Sequence, residues 1–324
     1  VEVLLQALDE GSGAPSLRRS LARAVRRAGD GARAPLVRFM EADPPPRAAA
    51  AASLAVAPVE AAASLAARLL RRTAVRAERF EDRWRLVAAA AHLPADAPVD
   101  AWLADLVRGA EEWMLRAAAL RALAHRDPTH ARGVAEEAAD DPYPRVRAEA
   151  AATLGKSREH TVPVATLARR DPWPLVRRKA VYALRTHPEA LRVVRAAVRD
   201  GSESVRRTAI ETLTEMGDRP GWPKVRDRLE DAREYPAVRS AAIAYVHRLC
   251  LPDGVAPLAG LVEEGLDPAA DADQLDLAAA AVRALAAIGG ERARQALARA
   301  SAPGAPAPLR ATAARARRHE RPCR

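Results

Sequence analysis

In DPYPRVRAEAAATL, residues 141–154, and DPWPLVRRKAVYAL, residues 171–184, valine, alanine and leucine fall at the same offsets behind the same turn. Val146, Ala150 and Leu154 are spaced one helical turn apart, as are Val176, Ala180 and Leu184, so each stretch predicts a helix with one buried stripe. With Arg147 as a ruler, an apolar-Arg-x-x-small-x-x-x-apolar pattern returns at Leu17-Arg18, Leu115-Arg116, Val176-Arg177, Val205-Arg206, Val238-Arg239 and Leu309-Arg310. Weaker marks stand at Arg47, Arg85 and Ala278. Successive marks lie 29 to 39 residues apart, and together they divide the chain into ten units.

Each unit reads as two helices. In the clearest, Thr129 to Asp140 predicts a first helix, Asp-Pro-Tyr-Pro a turn, and Pro144 to about Gly155 a second. The residue chemistry agrees, since Asp caps and turns, Pro suits the first helical position, and Gly ends a helix by accepting positive φ. One such hairpin cannot bury its apolar face alone, whereas a stack of them builds a continuous core from neighbour to neighbour. The expected organisation is one array over residues 1–324, clearest over 110–250 and looser over 1–109 and 251–324. Two units carry insertions. One, between Arg47 and Arg85, holds the apolar run Ala48 to Val59 and the basic stretch Arg68 to Arg79; the other holds DPAADADQLD, residues 267–276, expected to project as an acidic loop.

Composition narrows the class to all-α. Aromatics are 3% of the chain, and its abundant Ala, Leu and Val suit closely stacked helices better than a sheet. The net charge of +10 raises the question of an anionic partner. Only three of the 52 basic residues are lysines, however, and an Ala-, Arg- and Pro-rich chain of this kind also follows from a GC-rich coding sequence. Cys250 and Cys323 stand far apart, a spacing that suggests neither a disulfide framework nor a metal site. The Ala48–Val59 run is too short to span a bilayer and no signal peptide is visible, so a cytoplasmic location without a membrane span is expected.

D-P-x-P-x-V-R-x-x-A-x-x-x-L resembles the second half of a HEAT repeat, in the short bacterial form shared with the phycobilin-lyase-like group. The resemblance implies a right-handed superhelical solenoid of about ten hairpins, with first helices on the convex face and second helices on the concave one. It also implies a ladder of ion pairs between neighbouring units, carried over by position to Asp141, Asp171 and Asp200 with Arg147, Arg177, Arg206 and, without an aligned Asp, Arg239.

No P-loop, dinucleotide-binding fingerprint, zinc-protease motif or C-x-x-C pair is present, and no metal, cofactor or catalytic residue is expected. His125 and His130, close together in AHRDPTH, read as loop and cap residues. One constellation stands out. Four residues before the ladder arginines come Tyr143, Trp173, Ser202 and Tyr235, a ridge of aromatics at the turns, beside Arg145, Arg178 and Arg207. Aromatic faces among guanidinium groups and helix amino ends suit an extended anionic partner, or simply cover the end of a core. Trp84, Trp102, Trp113 and Trp222 lie off this register and read as packing residues. The expected function is a non-enzymatic scaffold gripping a protein partner along the concave face, with oligomeric state left open. The alternative is a nucleic-acid-binding protein similar to the HEAT-like alkylpurine DNA glycosylases, whose active-site residues find no matching positions here.

Overall fold

The computed structural model describes residues 1–10, 15–42, 79–93 and 97–318, and among them every regular element is helical. The chain forms two compact units, Val1–Leu154 and Gly155–Arg324.

The first unit begins with α1 (Glu2–Glu10), α2 (Pro15–Ala28) and α3 (Arg33–Glu41), α1 packing on the other two. It continues with α4 (Phe80–Ala90), α5 (Ala97–Gly109), α6 (Trp113–Arg126), α7 (Pro128–Ala138) and α8 (Pro144–Leu154). Helices α4, α6 and α8 pack in succession as one layer, and α5 and α7 form the layer against them.

The second unit repeats the scheme with α9 (Thr161–Arg170), α10 (Pro174–Ala183), α11 (Leu191–Ala197), α12 (Glu203–Glu215), α13 (Trp222–Glu230), α14 (Pro236–Arg248), α15 (Val255–Leu266), α16 (Ala272–Ile288), α17 (Glu291–Ala300) and α18 (Ala307–Arg318). Each odd-numbered helix pairs with the next even-numbered one, and α10, α12, α14, α16 and α18 lie side by side in a single layer.

Local chemistry builds the hairpins as expected. The Asp127 carboxylate caps α7 by accepting from the Thr129 and His130 amides at 3.1 and 3.0 Å, and Pro144, Pro174 and Pro236 open their helices. At the turns, Asp141, Asp171 and Asp200 each accept from the amide two residues on, at 2.7, 2.9 and 2.8 Å, an Asx turn that aims the chain into the second helix. Val146, Ala150, Leu154, Val176, Ala180 and Leu184 are all fully buried. Each leucine or valine so placed stabilises by roughly 1.5–3 kcal/mol.

Two expectations end differently, and a third falls almost wholly outside the described residues. The insertion containing Ala48–Val59 and the stretch from Arg68 lies, except for Arg79, outside the described residues. The second insertion lengthens a hairpin instead of projecting a loop, with twelve residues in α15 and seventeen in α16. Two of its four acids are engaged in local structure: Asp267 accepts from the Ala269 amide at 2.8 Å, and Asp271 caps α16 in a reciprocal box with Gln274. The long hairpin closes tightly at Gly265, where an added Cβ would stand 2.3 Å from the Ala278 methyl. Finally, Cys250 is disulfide-bonded, where the cysteine spacing suggested no disulfide framework; Cys323 lies outside the described residues. Cys250 sits just past α14 with φ of 48°, where the corresponding residue past α12 is Gly217 at φ 69°. No helix among the described residues is long and apolar enough to cross a membrane.

Candidate interaction surface

In four of the repeats, at Arg116, Arg177, Arg206 and Arg239, the arginine mark has one structural job, binding a carboxylate and a backbone carbonyl together. In α10, Arg177 donates from Nε and Nη2 to the Asp200 carboxylate at 2.8 and 2.7 Å, and from Nη1 to the Asp171 and Pro172 carbonyls at 2.9 and 3.1 Å. It therefore binds the turn that precedes its own helix and the turn that precedes α12. Arg206 does the same in α12, reaching Glu234 at 2.8 Å through Nε and the Asp200 and Gly201 carbonyls at 2.9 and 3.2 Å. Arg239 in α14 donates to Glu264 at 2.9 Å and to the Leu229 carbonyl. Arg116 in the first unit forks onto Asp141 at 2.7 and 3.0 Å and caps the Ala110 and Glu111 carbonyls at 2.8 Å. Only a planar fork with five donors can serve a carboxylate and two carbonyls at once.

The Arg177–Asp200 and Arg206–Glu234 rungs are shielded from water, and their carboxylates respond. Side-chain exposure is 16% for Arg177 and 12% for Asp200. Burial pushes the Asp200 carboxyl up, yet the hydrogen bonds from Arg177 and the Ser202 amide outweigh it and hold the group below the usual carboxylate range. Glu234 behaves likewise, burial opposed and overcome by Arg206 and the Tyr235 amide.

A family model for HEAT repeats matches residues 99–185, 162–246 and 191–273, together more than half of the chain. The chain belongs to the HEAT-repeat family. A comparison with curated proteins finds no match. Among solved structures, importin beta is similar with a TM-score of 0.52 and 18% identity, covering 97% of this chain and 50% of that one. A Kap121p mutant follows with 0.50 and 12%, covering 97% and 44%, and YibA of Escherichia coli with 0.47 and 16%, covering 80% and 96%. At these identities the likeness is one of fold, and this chain spans about half the length of importin beta.

The HEAT architecture places the expected ridge residues in two groups. Tyr143, Trp173 and Tyr235 stand at the entries to α8, α10 and α14, and all three rings are exposed, Trp173 at 55% and Tyr235 at 59%. The ladder arginines Arg177, Arg206 and Arg239 are instead drawn inward onto carboxylates, and Arg147 donates to the Asp141 and Pro142 carbonyls at 2.8 and 3.2 Å. Arg207 pairs with Glu211 at 3.6 Å on its own helix, and Arg178 is half-buried beside Arg177.

Of the off-register tryptophans, Trp84 departs from the packing reading, being 39% exposed, whereas Trp113 is half-buried and packs on a turn aromatic. For Trp113, the contact is made at the entry to α8. Its ring stacks on Tyr143 at 6.0 Å, with the Arg145 guanidinium 5.5 Å from its centroid and that of Arg116 5.6 Å from the Tyr143 ring. Tyr143 thus roofs a ladder arginine. Trp222, by contrast, is buried against Tyr245 as expected of a packing residue.

Sequence reasoning also missed Arg126, whose side chain is buried at the end of α6, donating to Asp100 at 2.6 Å and to the Ala90 and Leu93 carbonyls. It lies outside the repeated phrase, so no periodic signal marked it. Among the described residues no cluster of His, Cys, Asp or Glu is arranged to hold a metal ion.

Proposed function

We propose that this HEAT-repeat chain is a scaffold that holds a protein partner along the face lined by its second helices, residues 1–324 working as one array. The supporting observation is the layer α10, α12, α14 and α16, fixed side by side by the Arg177, Arg206 and Arg239 rungs. A surface ordered before binding pays little conformational entropy when a partner arrives. Trp173 and Tyr235 are the contact residues of choice at its edge, because large, rigid, exposed aromatics anchor protein interfaces. Within the second unit the ladder arginines Arg177, Arg206 and Arg239 hold the frame and Arg178 and Arg207 line its margin; within the first, Arg147 holds the turn into α8, beside which Tyr143 and Arg145 stand.

The nucleic-acid reading needs the ladder guanidiniums to face phosphates. Arg177 and Arg206 already have their forks filled by carboxylates and carbonyls, which favours the protein partner. The test is affinity purification of the tagged chain from its native host under gentle lysis, with and without nuclease. A protein that co-purifies at constant ratio after nuclease supports the scaffold; recovery of nucleic acid alone, or of nothing, refutes it.

A further inference from the structure

Helix α10 differs from its neighbours in the charge it shows. Arg178, Tyr182 and Arg185 are spaced at i, i+4 and i+7, with Lys179 alongside, so the four side chains share one face running onto the turn Leu184–Thr186. The helix PLVRRKAVYA contains no acid. Lys179, Tyr182 and Arg185 are exposed, Tyr182 at 45%. The Arg185 guanidinium is held 4.3 Å over the Tyr182 ring, and its Nη1 donates to the Tyr182 carbonyl at 3.2 Å. A cation held in this way loses little rotamer freedom on meeting an anion.

The equivalent positions on α12 largely lose the cations. Counting from the ladder arginines Arg177 and Arg206, the strip residues Arg178, Lys179, Tyr182 and Arg185 correspond to Arg207, Thr208, Glu211 and Thr214, with Arg207 already paired to Glu211 and Glu215 one residue further on. On α14 the same positions hold Ser240, Ala241, Ala244 and His247. The cationic strip is therefore one helix wide and bordered by carboxylates on the α12 side. A continuous polyanion crossing the layer would meet Glu211 and Glu215, whereas a short acidic segment lying along α10 meets cations only. Arg178 and Arg185 are two helical turns apart, about 10 Å of rise, which carboxylates seven residues apart on a helix or three apart on an extended chain would match.

We propose that Arg178, Lys179, Tyr182 and Arg185 form the docking strip for a glutamate- or aspartate-rich segment of the partner protein. The proposal rests on the scaffold reading and names the chemistry of its partner. The test uses the whole chain and a short fluorescein-labelled glutamate–alanine peptide, read by fluorescence anisotropy at low and physiological salt. Wild-type protein is expected to bind with an affinity that falls as salt rises. Lys179→Glu with Arg185→Glu should weaken binding roughly tenfold or more, since each exposed attraction is replaced by repulsion. Arg169→Glu with Arg170→Glu, exposed at the end of α9 in the other layer, should leave it unchanged. All variants are checked for unaltered melting.

Equal binding by the α10 variant and wild type, absence of wild-type binding at low salt, or tighter binding of a single-stranded oligonucleotide of equal charge would each overturn the proposal. Purification from the native host separates the two readings. A partner recovered equally by wild type and α10 variant sinks the strip and leaves the scaffold, whereas strip-dependent peptide binding with no recovered partner sinks the scaffold and leaves the strip.

Discussion

Replacing Arg177 by alanine removes a side chain that joins two turns and leaves the Asp200 carboxylate, with only 12% of its side chain exposed, without its fork. An exposed ion pair contributes under about 1 kcal/mol, but breaking a buried one costs about 3–5 kcal/mol because an unpaired charge remains. Asp200 keeps its bond from the Ser202 amide, which places the expected loss near the lower bound, about 3 kcal/mol. For a unit the size of residues 155–324, each kcal/mol moves the melting temperature by about 2–4 °C, so Arg177→Ala should melt roughly 6–12 °C lower. Circular dichroism at 222 nm on Arg177→Ala, Asp200→Ala and the double variant gives the coupling directly. The adjacent Arg178→Ala serves as the control, because it removes an equal charge that belongs to no rung. If Arg177→Ala melts no lower than Arg178→Ala, or if the cycle shows no coupling between Arg177 and Asp200, the ladder does not hold the units together.

Acid should reveal the same rungs: Asp200 and Glu234 titrate below their ordinary values when folded, so their contribution is complete above an unfolded pKa of about 4 and fades as pH falls through the lower folded values. A melting temperature that holds constant from pH 6 to well below about 4 would contradict this. Gly265→Ala should destabilise by about 1–3 kcal/mol, since the new methyl must displace Ala278, as read by urea denaturation. Trp222→Ala should cost about 3–5 kcal/mol and Trp173→Ala under about 0.5, the first ring being buried and the second exposed; similar losses from both would show that Trp173 packs into the core.

Most of the hairpin architecture was legible because it follows from local rules. Helix α7 was expected at Thr129–Asp140 and runs Pro128–Ala138; α8 was expected from Pro144 to about Gly155 and ends at Leu154. Period, cap and proline act within a few residues, so sequence alone reaches them. The candidate surface was legible only in its positions. Tyr143, Trp173 and Tyr235 do stand at the turns, exposed. The direction of the ladder was less visible, because Arg177 shares its own turn with Asp171 in sequence yet takes its carboxylate from Asp200, one repeat on. Neither Trp113 nor Arg126 carried a mark, since the stack on Tyr143 and the bond to Asp100 join residues at 30 and 26 places' separation that follow no repeated phrase.

The ladder survives where its motif fails, and the reason is geometric. In the regular repeats the acid stands two residues before the helix entry, as Asp141 before Tyr143 and Asp200 before Ser202, and accepts from that entry amide while taking the arginine fork. Before α14 the acid has moved to Glu234, directly beside Tyr235, with one more methylene. Its carboxylate still accepts from the Tyr235 amide at 2.8 Å and still receives Arg206. In the lengthened hairpin that follows, the acid leaves the turn altogether: Arg239 takes Glu264 from the last turn of α15. What each junction requires is a carboxylate oxygen about 3 Å from a guanidinium buried over the preceding carbonyls, because a desolvated arginine without one would be costly. Aspartate at a fixed offset is one way to supply it, and insertions are tolerated wherever another acid reaches the same point.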